Sequence, residues 1–220
     1  MRARTSLRVL ISAGPTREPI DAARFISNYS TGYMGAQLAA QALARGHRVT
    51  VVAGPIAEPL PIGARVVPVE TAQQMAQAMR RHAKHADVIV MAAAVADFRP
   101  LQRAQRKLPR AGRLLLRLAP TPEIIGMLPR RDGQLVAGFA VETDRVVPRA
   151  QRKLHMKRLD VLVAQAVEPS RRRGALARPF GRQPVRAWLL TRSGAVMPLG
   201  MRSKAQVARR LLDHLEALHV

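Results

Sequence analysis

Between Gly14 and Gly35 the chain reads GPTREPIDAARFISNYSTGYMG, a stretch dense in groups that hold anions: Thr16, Arg17, Arg24, Asn28, Ser30 and Thr31. It follows the apolar run Val9 to Ile11 and precedes an amphipathic segment from Ala36 to Arg45. A strand that ends at a glycine turn and then feeds a helix presents free backbone N–H groups to phosphate. Common nucleotide folds make that turn in about six residues. Here roughly twenty intervene, and a loop of that length inside a compact domain is usually functional. Gly14, Ser30, Thr31 and Gly32 are the candidates for a phosphate loop, and the whole stretch reads as the floor of a site.

Other groups point to the same chemistry. The run Ala92-Ala93-Ala94-Val95-Ala96 closes on Asp97 after the apolar residues Val88 to Met91. Small residues at the carboxyl end of a central strand let a ligand approach the backbone, and that is where open α/β sheets bind ligands. Asp97 reads as either a ligand contact or a helix cap. Only five of the 37 basic residues are lysines: Lys84, Lys107, Lys153, Lys157 and Lys204. A chain that writes arginine almost everywhere reserves lysine for places that need a compact ammonium; Lys84 and Lys204 read as solvated surface residues. Lys153 and Lys157, four apart, set two ammonium groups on one helix face at a cost of a few tenths of a kcal/mol, which an anion would reverse. Asn28 fits an Asx turn, and Phe139 a core position in a buried strand. His82 and His85 lie three apart with no third ligand in view, and there is no G-x-S-x-G elbow and no carboxylate pair for acid–base work.

The elements that must position these groups alternate. Apolar runs predict strands at Leu7 to Ser12, Arg48 to Ala53, Arg65 to Val69, Asp87 to Ala92, Gln134 to Ala140 and Asp160 to Ala164. Helices are expected over Gly32 to Gly46, Thr71 to His85, Pro122 to Pro129 with Thr121 as cap, Arg145 to Lys157, and Ser203 to Leu218. Arg113 to Leu118 reads as an edge strand, Ser170 to Pro184 as a loop, and Val185 to Met197 as a hairpin. The pattern is α/β: a Rossmann-like, doubly wound, mostly parallel sheet with a C-terminal hairpin and helix, and residues 1–220 as one domain. The hairpin's Trp188, Leu189 and Leu190 read as too apolar for a lone edge, and the interface of a dimer is expected on strands beyond the central sheet.

Composition narrows the classes further. With no cysteine there is no disulfide, thiol nucleophile or thiolate metal site. No run approaches the ~18 apolar residues of a membrane span, and nothing at the N-terminus reads as a signal peptide, so a cytoplasmic protein is expected. The net charge of +23 invites a nucleic-acid reading. Against it, the arginines are dispersed, aromatic residues are 3% of the chain, and no helix-turn-helix or finger pattern appears.

The loop string closely resembles the opening signature of bacterial phosphopantothenoylcysteine synthetases, GxTREPIDPVRFISNxSSGKMG in outline. VIVMAAAVADFRP (88–100), PTPEII (120–125), VAGFAVET (136–143) and the later lysines follow in that family's order. The resemblance implies a ligase of coenzyme A biosynthesis with CTP, 4′-phosphopantothenate and cysteine as substrates, Mg²⁺ as the required cation, a homodimeric assembly, and a separate flavin-dependent decarboxylase in the same pathway. It places Met91, Ala92, Ala93, Asp97, Lys107, Pro122, Glu123, Ile124, Ile125, Phe139, Lys153 and Lys157 at the nucleotide, with Lys107 neutralising phosphate and Asn28 serving the step that consumes the acyl-nucleotide. The chain departs from the family at three places. Tyr33 stands for a usual lysine, Gln165-Ala166 for Asn-Asp, and Phe180 to Val185 lacks the acid and asparagine of G-F-x-x-D-x-N. Those losses favour, as an alternative, a repurposed nucleotide-binding protein of the same fold. A dinucleotide reductase is a weaker one, because Val52-Ala53-Gly54-Pro55 has no acid for the ribose hydroxyls.

Overall fold

The computed structural model describes residues 6–110, 112–167 and 180–219; most of the expected loop from Ser170 to Pro184 lies outside them. Twelve strands occur in chain order: β1 (Arg8–Ala13), β2 (Arg17–Pro19), β3 (Phe25–Ser27), β4 (Arg48–Ala53), β5 (Arg65–Pro68), β6 (Val88–Met91), β7 (Phe98–Pro100), β8 (Leu118–Pro120), β9 (Leu135–Glu142), β10 (Val161–Ala166), β11 (Val185–Thr191) and β12 (Val196–Arg202). The helices are α1 (Tyr33–Ala44), α2 (Ala72–Ala83), α3 (Val146–Met156) and α4 (Lys204–Leu218), with one 3₁₀ turn at Ile125–Met127.

Eight strands form one sheet in the order β12-β11-β10-β9-β6-β1-β4-β5, parallel from β5 to β10 and antiparallel through the last two. The central strands are continuous apolar runs because both faces are covered. On one face α1 and α4 bury Leu38, Ala42, Val207 and Leu211 against Ile11, Val51 and Val90. On the other α2 and α3 bury Met75, Met79 and Leu154 against Leu10, Ile89 and Leu162. The doubly wound, mostly parallel architecture is the one the alternating pattern predicts.

Three local expectations are corrected. The strand expected at Arg113 to Leu118 lies further on, at β8, and pairs with β7 in a separate two-stranded sheet; Leu114 and Leu115 stay exposed, so no buried face holds the earlier register. Thr121 caps no helix. Its hydroxyl donates to Ala96 O at 2.6 Å, and only the short turn at Ile125–Met127 follows. The hairpin's apolar residues face its own core: Leu189 and Leu190 are buried and Trp188 packs into the α3 side. The exposed apolar side chains instead include Phe25, Phe98, Leu101, Leu114, Leu115 and Leu118, on β3, β7, β8 and their connections.

At the amino ends of the strands, Asp87 takes the Arg8 backbone N–H at 2.8 Å and its guanidinium at 2.7 Å. These contacts hold the Asp87 carboxyl at about 2, below its ordinary value, chiefly through the Arg8 side chain and against the cost of burial. A depressed carboxyl stabilises the fold above its unfolded pKa and loses that contribution as pH falls through the folded one. Asp87→Asn is therefore expected to lower stability at pH 7 by about 1 kcal/mol, after allowance for screening of the half-exposed Arg8. Urea titrations should show the difference shrinking between pH 4 and pH 2; a difference independent of pH would show that the charge is not its source.

Candidate active site

The long loop is not irregular. Residues 17–19 and 25–27 pair as the small antiparallel ladder β2–β3, with Arg17 opposite Ser27. Its first turn is pinned by close packing: Gly14 has φ +78°, and a Cβ there would come within 2.4 Å of Ile56 Cγ2. Gly32 has φ +82° and packs against the same Ile56, and Gly14 Cα lies within 3.6 Å of where its Cβ would be. Glu18 is buried, and its carboxylate accepts the Ala72 N–H at 2.8 Å, an anion at the positive end of α2.

The loop is zipped to the segment after β6. Pro15 bridges Ala94 in parallel. The Ser12 hydroxyl accepts the Ala93 N–H at 3.1 Å, and the Thr16 hydroxyl accepts the Ala96 N–H at 3.0 Å. Both side chains are fully buried. Asn28 closes the zipper, with Nδ2 donating to Ala94 O (3.2 Å) and Val95 O (2.9 Å). Two carbonyl neighbours fix the orientation of this amide: its donors are spent, and Oδ1 is the group left to meet a ligand.

A cavity of about 590 Å³ opens over the carboxyl ends of β6 and β9, a size in the range of small-molecule sites. Its lining contains Asn28, Met91, Ala93, Asp97, Pro122, Glu123, Ile124, Ile125, Phe139, Lys153 and Lys157, so most residues proposed from sequence come together there. Phe139 is half-buried, one side against the core and the other on the cavity. Lys153 of α3 and Lys157, its C-cap, are not left to repel each other: Lys153 Nζ lies 2.7 Å from Glu142 Oε1, and Lys157 Nζ lies 3.0 Å from Glu123 Oε2. An incoming anion would have to share or displace those carboxylates.

A second cavity, about 110 Å³, adjoins the first and shares Tyr29, Ala93, Ala94, Phe139, Val141 and Phe180 with it. Ala92, Ser30, Thr31 and Gly32 line it, together with Gln165 and Lys204. Gly14 lines neither cavity and serves the packing of the turn. Lys204, which reads from sequence as a surface residue, is 5% exposed, and burial pulls its ammonium down to about 8. Tyr33 lies under the Arg182 guanidinium, 5.5 Å from its ring centroid, and Tyr29 packs on Phe180 with ring centroids 6.0 Å apart. Sequence reasoning passed over Ser12, for which a serine ending an apolar run was the available signal, and Thr16, read from sequence as an anion-holding group, is instead buried and spent on the Ala96 amide.

Lys107, like Gly14, is a sequence candidate that the structure places outside both cavities, and it is exposed. Its segment is tethered one residue on: Leu108 N donates to Asp21 Oδ2 at 3.1 Å, and Arg24 donates to Leu108 O at 3.0 Å. Ala104 N also donates to Ile20 O at 3.0 Å. Asp21 is held far below the usual carboxylate range, first by the Arg24 guanidinium and then by the Ala23, Leu108 and Arg24 amides. Among the described residues no cluster of three or more His, Cys, Asp or Glu is disposed to cage a metal ion, and no helix is long and apolar enough to cross a membrane.

A doubly wound α/β domain with a tethered loop over its strand ends is the class this geometry defines. The sequence profile of the DNA/pantothenate metabolism flavoprotein C-terminal domain matches residues 5–218, and the chain belongs to that family. It is 40% identical over 220 residues to the coenzyme A biosynthesis bifunctional protein CoaBC of Mycobacterium bovis, covering 94% of this chain and 51% of that protein. A prokaryotic cysteine/cysteine sulfinic acid decarboxylase is 38% identical over 215 residues, covering 96% of this chain and 58% of the relative. The chain thus spans a little over half the length of these relatives. The crystal structure of the C-terminal domain of a CoaBC protein superposes with a TM-score of 0.79 at 34% identity, covering 96% of this chain and 95% of that one.

The tether yields a test. Asp21→Asn removes the charge that assists its hydrogen bonds to the Arg24 guanidinium and the Leu108 amide. Amide exchange at Ala104 and Leu108 is expected to quicken by roughly tenfold or more, with β1 and β6 unchanged. Unchanged exchange at Leu108 would show that the segment is held by something other than Asp21.

Proposed function

We propose that the chain is a cytoplasmic phosphopantothenate–cysteine ligase of coenzyme A biosynthesis that uses CTP. The observation that carries this reading is the larger cavity, which gathers Asn28, Asp97, Phe139, Lys153 and Lys157 over the strand ends of a domain related to CoaBC proteins. A carboxylate oxygen of 4′-phosphopantothenate attacks the α-phosphorus of CTP, forming an acyl-cytidylate and releasing pyrophosphate. The amine of cysteine then attacks the acyl carbon, forms the amide, loses a proton, and releases CMP.

The residues divide the work by their chemistry. Phe139 offers a ring face to the base, and the backbone of Met91, Ala92 and Ala93 lies beside it. Lys153 and Lys157 supply positive charge where phosphates enter, exchanging their carboxylate partners for the ligand. Pro122, Glu123, Ile124 and Ile125 form the wall beneath α3. Lys107 is assigned to the phosphates by its place in the motif order, and its segment would have to leave its Ile20 and Asp21 anchors to reach them. Asn28 presents Oδ1, an acceptor, and so orients the N–H of an incoming amine rather than holding an oxyanion. Mg²⁺ is bound through phosphate oxygens and one or two carboxylates in such sites; Asp97 is the carboxylate that would hold it, and the ion would reduce repulsion between two polyanions. The exposed apolar residues of β3, β7 and β8, strands beyond the central sheet, support a homodimer through those ladders.

The deciding assay is pyrophosphate release from CTP with phosphopantothenate, with and without cysteine. Asn28→Ala is expected to release pyrophosphate and accumulate acyl-cytidylate even with cysteine present. Asn28→Asp, which sets a carboxylate against the carbonyls of Ala94 and Val95, should raise the KM for CTP several-fold. Lys107→Gln should lose the first step. If the wild-type chain releases no pyrophosphate from any nucleoside triphosphate, the ligase reading falls and a non-catalytic nucleotide-binding protein stands in its place.

A further inference from the structure

Lys204 occupies a position that is poor for a lysine on every physical count. Its side chain is 5% exposed, and no carboxylate lies within ion-pair distance of it among the described residues. Glu58 is the acid whose field it feels, and that carboxylate is engaged by Arg182 at 2.8 Å. Lys204 is also the first residue of α4, where the helix dipole opposes a cation. Burial draws its pKa down to about 8, the response of an ammonium short of solvation. Stability of the fold does not account for such a placement.

The surroundings do. Gln165 is 5% exposed, and its Nε2 has no hydrogen-bond partner. It lines the smaller cavity together with Lys204. The start of α1 lines the same cavity, with Gly32 as a cap that has no side chain to offer and no acid in the first turn. The amides of Met34 and Gly35 precede the first intrahelical bond, which Ala36 donates to Gly32 O at 3.0 Å, while Tyr33 N donates to Thr31 Oγ1 at 3.4 Å. Ser30 and Thr31 add hydroxyls, and no carboxylate lines the cavity. A small chamber furnished with donors and one unpaired cation is suited to an oxyanion.

The geometry points to Lys204 as the cation of a phosphoryl-anion position, completed by the Gln165 amide and the amino end of α1. At about 110 Å³ the chamber is too small for a nucleoside. It adjoins the larger cavity across Ala93, Ala94 and Phe139, so a chain of phosphates can pass from one to the other. The identity of the ligand rests on the reading above: Lys204 receives the terminal diphosphate of the nucleotide, the group that leaves as pyrophosphate. The anion position itself does not depend on that reading.

The test uses the full chain and inorganic pyrophosphate, titrated calorimetrically into wild type, Lys204→Met and the exposed-lysine control Lys84→Met. Affinity is expected to fall at least tenfold in Lys204→Met and to stay unchanged in Lys84→Met. CMP, which has no terminal phosphates, should bind wild type and Lys204→Met alike. The melting temperature of Lys204→Met should rise, because a desolvated ammonium has been removed; a purely structural lysine would lower it. Should Lys204→Met fail to fold, acetic anhydride labelling of wild type gives the same answer: pyrophosphate should slow acetylation of Lys204 and leave Lys84 unaffected. Pyrophosphate that fails to bind wild type, binds Lys204→Met as tightly, or leaves Lys204 labelling unchanged overturns the assignment. Pyrophosphate binding that depends on Lys204 in a chain that releases none from CTP sustains it while removing the ligase reading.

Discussion

The site depends on how the backbone beyond the ends of β1 and β6 satisfies its hydrogen bonds. Both segments leave the sheet there, and their peptide groups would otherwise lack partners where they are withdrawn from water. The buried hydroxyls of Ser12 and Thr16 take the Ala93 and Ala96 amides, and Asn28 binds the next two carbonyls. This side-chain ladder continues the parallel pairing past the point where strand geometry stops. The long loop and the alanine-rich segment are thereby held as one surface, and the cavity wall is rigid without being regular secondary structure.

Charge placement separates the two halves of that surface. Around the larger cavity, cations arrive already paired: Lys153 with Glu142 and Lys157 with Glu123. Around the smaller one, the cation is buried and unpaired, and the nearby carboxylate Glu58 is turned to Arg182. A paired lysine can yield its partner to a ligand at little net cost, which suits reversible contact. A buried unpaired lysine gains most when an anion arrives, which suits tight holding at one point.

Much of the architecture was legible because it rests on local pattern. Continuous apolar runs mark β1, β4, β6, β9 and β10, and the Ser203…Gln206 capping box marks the start of α4. The two small ladders were not legible, since three-residue strands carry no periodicity and form only when distant segments meet. The members of the larger cavity were named chiefly through motif order. Lys107 and Lys204 show the limit in opposite senses. Lys107, expected at the site, is exposed and outside both cavities, whereas Lys204, expected at the surface, is buried in one. Neither placement follows from neighbours in sequence.

The strand order carries a consequence for how the chain is made. β1 is synthesised first and lies inside the sheet, with β4 and then β5 added on one side. β6, β9, β10, β11 and β12 are added on the other, each beside a strand that has already emerged. No strand must insert between two that are already paired. The sheet can therefore grow outward vectorially during translation, at the ~5–20 residues per second of synthesis, with one open edge always waiting for the next strand. The ligand-facing loops, which join segments up to 87 residues apart, close only after β6 and the segment behind it have left the ribosome.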